Sequence, residues 1–196
     1  MMQWTRSGSG RCRRLRAAVV AGLGLCALAG SACAQVAGDG SAVIQIWKAR
    51  RQLELREGET LVRSFAVALG LDPRAAKRIR GDYRTPVGRY YIAEKKPTSR
   101  FHRFLGLSYP NIDDADRGYA ERLIDATEWA SIFLANVRGA PPPWYTGLGG
   151  RVGIHGHGGR RFTGTDWTEG CIAVSDEDID YIYDRVSVGT PVIISE

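Results

Sequence analysis

Between Ala42 and Gly70 the chain runs through three short segments whose lengths and turns suit only strands. "AVIQIWK" (42–48) is an apolar run of the buried-strand type, and "QLELRE" (52–57) alternates, with Leu53 and Leu55 on one face. "LVRSFAVALG" (61–70) places Phe65, Val67 and Leu69 on one face. Ala49 and Arg50 read as a hairpin loop, and residues 57–60 make the next turn, with Gly58 supplying the unusual backbone angle. This is a β-meander, so most of the N-terminal half is expected to be antiparallel sheet.

The rest of the chain adds strands and two helices. Residues 78–95 read as a loop entering the strand "RYYIAE", with Asp82 beside Gly81 as a turn former. "HRFLGLSYP" (102–110) reads as another strand. From 113 to 138, apolar residues recur at spacings of three and four, which predicts one amphipathic helix, started by Asp113 or Asp114 and ended by Gly139. Residues 140–150, "APPPWYTGLGG", form a stiff, turn-rich loop. A short helix follows Ser175, its N-cap, with Asp178 as the capping-box partner and Ile179, Ile182, Tyr183 and Val186 as its buried face. "TPVIIS" (190–195) closes as a strand. The fold class expected is mainly β with two added helices.

Residues 1–34 carry five arginines and no acidic residue, then an apolar stretch from Ala17 to Ala29, then Ala32-Cys33-Ala34 as an A-x-A cleavage pattern. That order describes a secretory signal peptide. The apolar stretch is short for a stable membrane anchor. Lipidation at Cys33 is the alternative, but Gly30, Ser31 and Ala32 lack the usual leucine, and the residues around Arg13-Arg14 fit twin-arginine export poorly. Residues 35–41 are a short leader, and 42–196 form one domain. Without 1–34, 22 basic residues face 21 acidic ones, so the net charge falls from +6 to +1. The basicity is mostly targeting signal and gives no argument for a nucleic-acid partner.

Cys12, Cys26 and Cys33 leave with the signal, and Cys171 alone remains. A lone cysteine in an oxidising compartment is either a small core residue or a reactive thiol. A thiol nucleophile needs a base, a group that orients the base, and donors for the oxyanion. The histidines are His102, His155 and His157. "RVGIHGH" reads as a strand that projects His155 and His157 to one face, and the sixteen residues from His155 to Cys171 allow a loop and a return on an adjacent strand. His102 reads as a surface or groove-lining residue. A zinc site built from His155, His157 and Cys171 is a rival reading of the same residues, with no cysteine pair to support it.

"IHGH" followed by "TEGC" resembles the active-site signature of the L,D-transpeptidase (YkuD-type) family. "KARRQLELREGE", "GDYRTPVGRYYI", "GLSYPN", "LGGRVGIHG", "DWTEGCIAVSDEDIDYIY" and "VGTPVII" look like family segments in family order, over roughly residues 42–195. The resemblance implies a β-sandwich-like catalytic domain with helical additions and no cofactor or metal. It implies Cys171 as nucleophile and His155 as base, oriented by the carbonyl of Gly156. The N–H groups of Gly170 and Cys171 would bind the oxyanion. The substrate implied is the peptide stem of bacterial cell wall, in the periplasm or cell envelope, with roles in wall organisation and cell shape. The thiol would attack the third stem residue, release D-alanine and pass the acyl group to the amine of another stem or of a wall-anchored protein. A monomer is expected.

Two positions depart from the family pattern. Glu169 stands where the family has a histidine, and Ala173 where it has an arginine that would contact a substrate carboxylate. His157, Glu169 and Thr168 are auxiliary candidates. Arg160, Arg161, Tyr109 and Trp144 are candidates for the substrate groove, with Tyr145 beside them. The nearest rival is a hydrolase at the same site, an L,D-carboxypeptidase or a cross-link-cleaving amidase. A wall-binding module without activity is a rival of another class.

Overall fold

The computed structural model describes residues 41–196. The expected signal peptide and nearly all of the expected leader lie outside the described residues. Eight strands form one sheet: β1 (Ala42–Trp47), β2 (Gln52–Glu57), β3 (Thr60–Ala66), β4 (Gly88–Ser99), β5 (His102–Leu107), β6 (Gly153–His155), β7 (Ile172–Ala173) and β8 (Pro191–Ser195). Their order across the sheet is β3-β2-β1-β8-β4-β5-β6-β7. The meander β1–β2–β3 is antiparallel as expected, with Ile46 opposite Leu53 and Leu53 opposite Phe65. β8 joins it parallel to β1.

The sheet curls because β4 serves two halves. Its first residues, Gly88–Tyr91, pair with β8, and from Ile92 onward it pairs with β5. The register shifts between Ile92 and Glu94, and a bulge of this kind bends a strand and adds twist. The opposite side closes just after β3. The third strand ends at Ala66 rather than running to Gly70, but Ala68 and Ala173 exchange both backbone hydrogen bonds at 2.8 Å. Alternation sends Ile44, Ile46, Leu53, Leu55 and Phe65 inward against Leu105, Ile154 and Ile172 of the other half. Val67 and Leu69 are buried as expected, and Ile179, Ile182 and Val186 seal the same core.

Three helices are present where two were expected. The 113–138 segment splits into α1 (Ile112–Ala120) and α2 (Ala126–Val137). α1 starts at Asn111, not at Asp113 or Asp114; Asn111 accepts from the N–H of Asp114, whose carboxylate accepts from the N–H of Asn111 in return. After Ala120 the chain turns back: Leu123 donates to the carbonyl of Gly118 at 2.8 Å, and Arg122 takes a left-handed φ of 59°. Asp125 and Glu128 then form a second capping box that starts α2. Apolar spacing carried across this break because both helices cover one small core of Ala115, Ile124, Ile132 and Leu148. α3 (Asp176–Tyr183) is capped by Ser175 as expected, but Asp178 does not complete a capping box. Its carboxylate meets Arg63 at 3.1 Å instead. No helix among the described residues is long and apolar enough to cross a membrane.

Candidate active site

The end of the sheet brings the sequence-predicted residues together. β6 and β7 are parallel neighbours, with Ile154 opposite Ile172 and His155 opposite Ala173, and Val174 donates to the carbonyl of His155 at 2.9 Å. Cys171 is the residue that leads into β7. β6 ends at His155, so His157 lies beyond the strand, contrary to the expected shared strand face. The two imidazoles still share a neighbour, since both meet the Trp167 indole edge-on, at 5.8 and 5.0 Å between centroids.

His155 is almost fully buried, stacked on Phe101 at 4.5 Å. Its Nδ1 lies 2.7 Å from the Gly156 carbonyl oxygen. A carbonyl only accepts, so Nδ1 carries the proton and Nε2 keeps its lone pair. Burial lowers the His155 pKa to about 4, and the Gly156 carbonyl only partly opposes this. The ring is therefore neutral at neutral pH. Gly156 has no room for a side chain, because a Cβ there would run into Asp176 and the Phe101 carbonyl.

Cys171 is half-buried, and its thiol donates to the Arg151 carbonyl at 3.7 Å. Burial pushes its pKa up to about 11, against the pull of the Gly153 N–H and of Lys77 and Arg151. The resting pair is thus thiol and neutral imidazole, not thiolate and imidazolium. Lys77 is held on this side by the buried Asp82 at 2.8 Å. Asp82 also accepts from the N–H groups of Arg78, Ile79 and Arg84, which makes it the organiser of its loop, as its turn-forming reading predicts.

The turn that presents Cys171 is tied from within. Thr168 is buried; its hydroxyl donates to the Cys171 carbonyl at 2.7 Å and accepts from the Gly170 N–H at 3.1 Å. One of the two N–H groups expected to bind an oxyanion is therefore already engaged. Gly170 has φ of 128°, and a Cβ there would lie 2.5 Å from the Arg84 carbonyl oxygen, so only glycine fits. Glu169 is exposed. Ala173 is fully buried, bridged to Ala68 on one side and His155 on the other.

Sequence reading passed over Asp176. The first residue of α3, it accepts from the N–H groups of His157, Gly158 and Gly159 at 2.6, 3.0 and 2.6 Å. Burial works against its charge, yet these donors hold its pKa below the ordinary value. The available signal was an acidic residue in the first turn of a helix beside a glycine-rich loop. The His157 ring sits between Trp167 and Phe162, with Nδ1 buried and unpaired.

A cleft of about 580 Å³ opens along Arg151 and Val152; neither Cys171 nor His155 lines it, and the Arg151 carbonyl is its link to the thiol. Tyr109, Trp144, Tyr145 and Arg151 line it, with Glu94 and Lys96. Of the residues expected at a substrate groove, Tyr109 and Trp144 are in this lining, and Arg160 and Arg161 are exposed on the loop after Gly159 and absent from it. His102 is exposed and pairs with Asp180 at 2.8 Å. Among the described residues, no three His, Cys, Asp or Glu side chains converge to hold a metal ion.

The L,D-transpeptidase catalytic-domain family (YkuD) matches residues 41–194. The chain belongs to that family. The L,D-transpeptidase domain shares its fold with the helical cell shape determining protein Pgp2 from Campylobacter jejuni, at 23% identity and a TM-score of 0.55 over 81% of this chain and 49% of that one. Bd1075 from Bdellovibrio bacteriovorus is similar at 20% identity and a TM-score of 0.50, over 80% of this chain and 48% of that one. The chain thus spans about half the length of these structures. Comparison with curated proteins returns no match.

Proposed function

We propose that the domain is a peptidoglycan L,D-transpeptidase, with Cys171 as nucleophile and His155 as general base. The observation that carries this reading is the neutral His155, aligned through Gly156 on the strand beside the one that follows Cys171. As Sγ bonds to the carbonyl carbon of the third stem residue, Nε2 takes the thiol proton. The tetrahedral adduct collapses, the bond to D-alanine breaks, and the leaving amine takes the proton from Nε2. An amine of a second stem, or of a wall-anchored protein, then attacks the thioester; an amide forms and the thiol is restored. Of the two expected oxyanion donors, the Cys171 N–H is the one we retain, since that of Gly170 is held by Thr168. The site of action is the periplasm or cell envelope, to which the N-terminal segment would direct the chain. A part in wall organisation and cell shape follows from the same reading, and the domain acts as a monomer.

A second reading is favoured by Ala173. Its place inside the sheet holds no charge for an acceptor's carboxylate, and a poorly oriented amine competes less well with water. Hydrolysis is then a substantial side reaction. The test is product partition by mass spectrometry, with purified wall peptides and rising acceptor stem. Transfer should grow at the expense of the trimmed peptide. Trimmed peptide alone at every acceptor concentration would make the enzyme a carboxypeptidase or cross-link-cleaving hydrolase. Cys171→Ala should abolish turnover with the fold intact, which separates both enzyme readings from a wall-binding module. His155→Ala should cost about two to four orders of magnitude and His157→Ala much less.

A further inference from the structure

Arg151 stands out among the cations near the thiol. Its backbone carbonyl accepts from Cys171 Sγ, and its guanidinium lies 5.2 Å from the centre of the Trp144 ring, on the wall of the cleft. It is exposed and, among the described residues, has no carboxylate partner. The other charges on the cleft neutralise one another, since Lys96 pairs with Glu94 at 3.1 Å. The cleft therefore carries one uncompensated positive charge, on the residue whose carbonyl contacts the sulfur, with Trp144 and Tyr145 also in the lining.

The backbone of Arg151 points the same way. It takes a left-handed φ of 55° without being glycine. A side chain there is disfavoured by local sterics, and such outliers persist where the surroundings impose them. Here the strained residue is the one that contacts the thiol with its carbonyl and presents a guanidinium to the cleft.

We propose that Arg151 is the carboxylate-binding residue of the cleft, gripping the terminal carboxylate of a peptide whose penultimate carbonyl lies at Cys171. The assignment rests on reading the site as one that attacks stem peptides, and it names the feature of the donor that is recognised. A carboxylate one residue past the attacked carbonyl lies roughly 3.5 Å farther along the chain. A charge-assisted hydrogen bond adds about 2.8 Å. The Arg151 carbonyl touches the thiol while its guanidinium lines the cleft, so this residue joins the sulfur to the cleft wall. Arginine offers a planar fork to a carboxylate, and stacking on Trp144 holds the fork in place. Arg151 thereby supplies, from the loop before β6, a positive charge that Ala173 cannot supply from β7.

The experiment uses the Cys171→Ala protein and two tetrapeptide stems, one with a free terminal carboxylate and one ending in an amide. Binding is measured by calorimetry, with and without Arg151→Gly. Glycine suits the left-handed backbone, so this change removes the guanidinium without adding strain. Arg151→Gly should weaken binding of the free acid roughly tenfold or more and leave the amide unchanged, with Arg151→Lys between. Equal loss for both peptides, or no loss for either, would overturn the proposal. If neither peptide bound, the carboxylate site and the functional reading would fall together. Carboxylate-selective binding without a thioester on the Cys171-intact protein would overturn the functional reading and uphold the carboxylate site.

Discussion

The imidazole of His155 is oriented by its own chain neighbour, with Nδ1 2.7 Å from the carbonyl oxygen of Gly156. No carboxylate is needed to fix the tautomer, and Gly156 is itself pinned between Phe101, Asp176 and Ile179. A neutral acceptor polarises the ring without stabilising a positive charge on it as an aspartate would. Burial then dominates, and the ring stays a free base down to a pKa of about 4.

This sets the acid side of the pH profile. kcat/KM for thioester formation should rise through about pH 4 and be level from about 5.5 to 7. A limb centred near the ordinary histidine value of 6.5 would contradict the buried, neutral assignment. Stability gives an independent check. Between about 4 and 6.5 the unfolded chain binds more protons at this residue than the folded one, so stability rises with pH across that window. Urea midpoints should follow this slope, and His155→Phe should flatten it.

The thiol predicts slow chemistry with small reagents. With its pKa raised to about 11, little thiolate is present at neutral pH. Alkylation of Cys171 by iodoacetamide should be slow at pH 7 and climb steadily above pH 9. Fast, pH-independent labelling near pH 7 would mean that a thiolate–imidazolium pair already exists at rest.

Thr168 joins the Cys171 carbonyl to the Gly170 N–H through one hydroxyl. Thr168→Val keeps the shape and removes both bonds. It should lower stability by about 1 to 3 kcal/mol. It should also reduce kcat roughly ten- to a hundredfold, through misplacement of the thiol. Thr168→Ser should recover most of both. Denaturation curves and steady-state kinetics on the two variants test this, and equal damage from serine and valine would count against the hydroxyl.

Asp176 gathers three backbone N–H groups of the loop that follows His155. Asp176→Ala leaves all three without their acceptor and should cost about 1 to 3 kcal/mol. Asp176→Asn keeps an acceptor oxygen and should cost less. Because the folded pKa is depressed, the carboxylate's contribution is present above its unfolded value of 3.8 and is lost as pH falls through the folded one. Acid unfolding of the alanine variant should lack that step.

Much of the molecule was legible along the chain because local pattern and chemistry set it. Alternation at Ile44, Ile46, Leu53, Leu55 and Phe65 predicted the meander, and the turn at Gly58 separates its strands as read. The sequence motif singled out His155, Gly156 and Cys171, and the pairing of β6 with β7 sets His155 on the strand beside the one that Cys171 precedes. What the chain alone misjudged depended on competition between partners. Asn111 and Asp125 capped the two short helices, dividing a period that apolar spacing alone made continuous. Asp178 met Arg63, a residue distant in sequence, in place of its own helix's N-terminus. Local pattern also carries no information on the Gly170 N–H meeting Thr168, on the exposure of Arg160 and Arg161, or on Arg151 lining the cleft. Residue types and periods are properties of neighbours in sequence. The protonation of His155, the raised pKa of Cys171 and the exposure of Arg151 depend on burial and long-range pairing, which exist only once the sheet has curled and closed at Ala68 and Ala173.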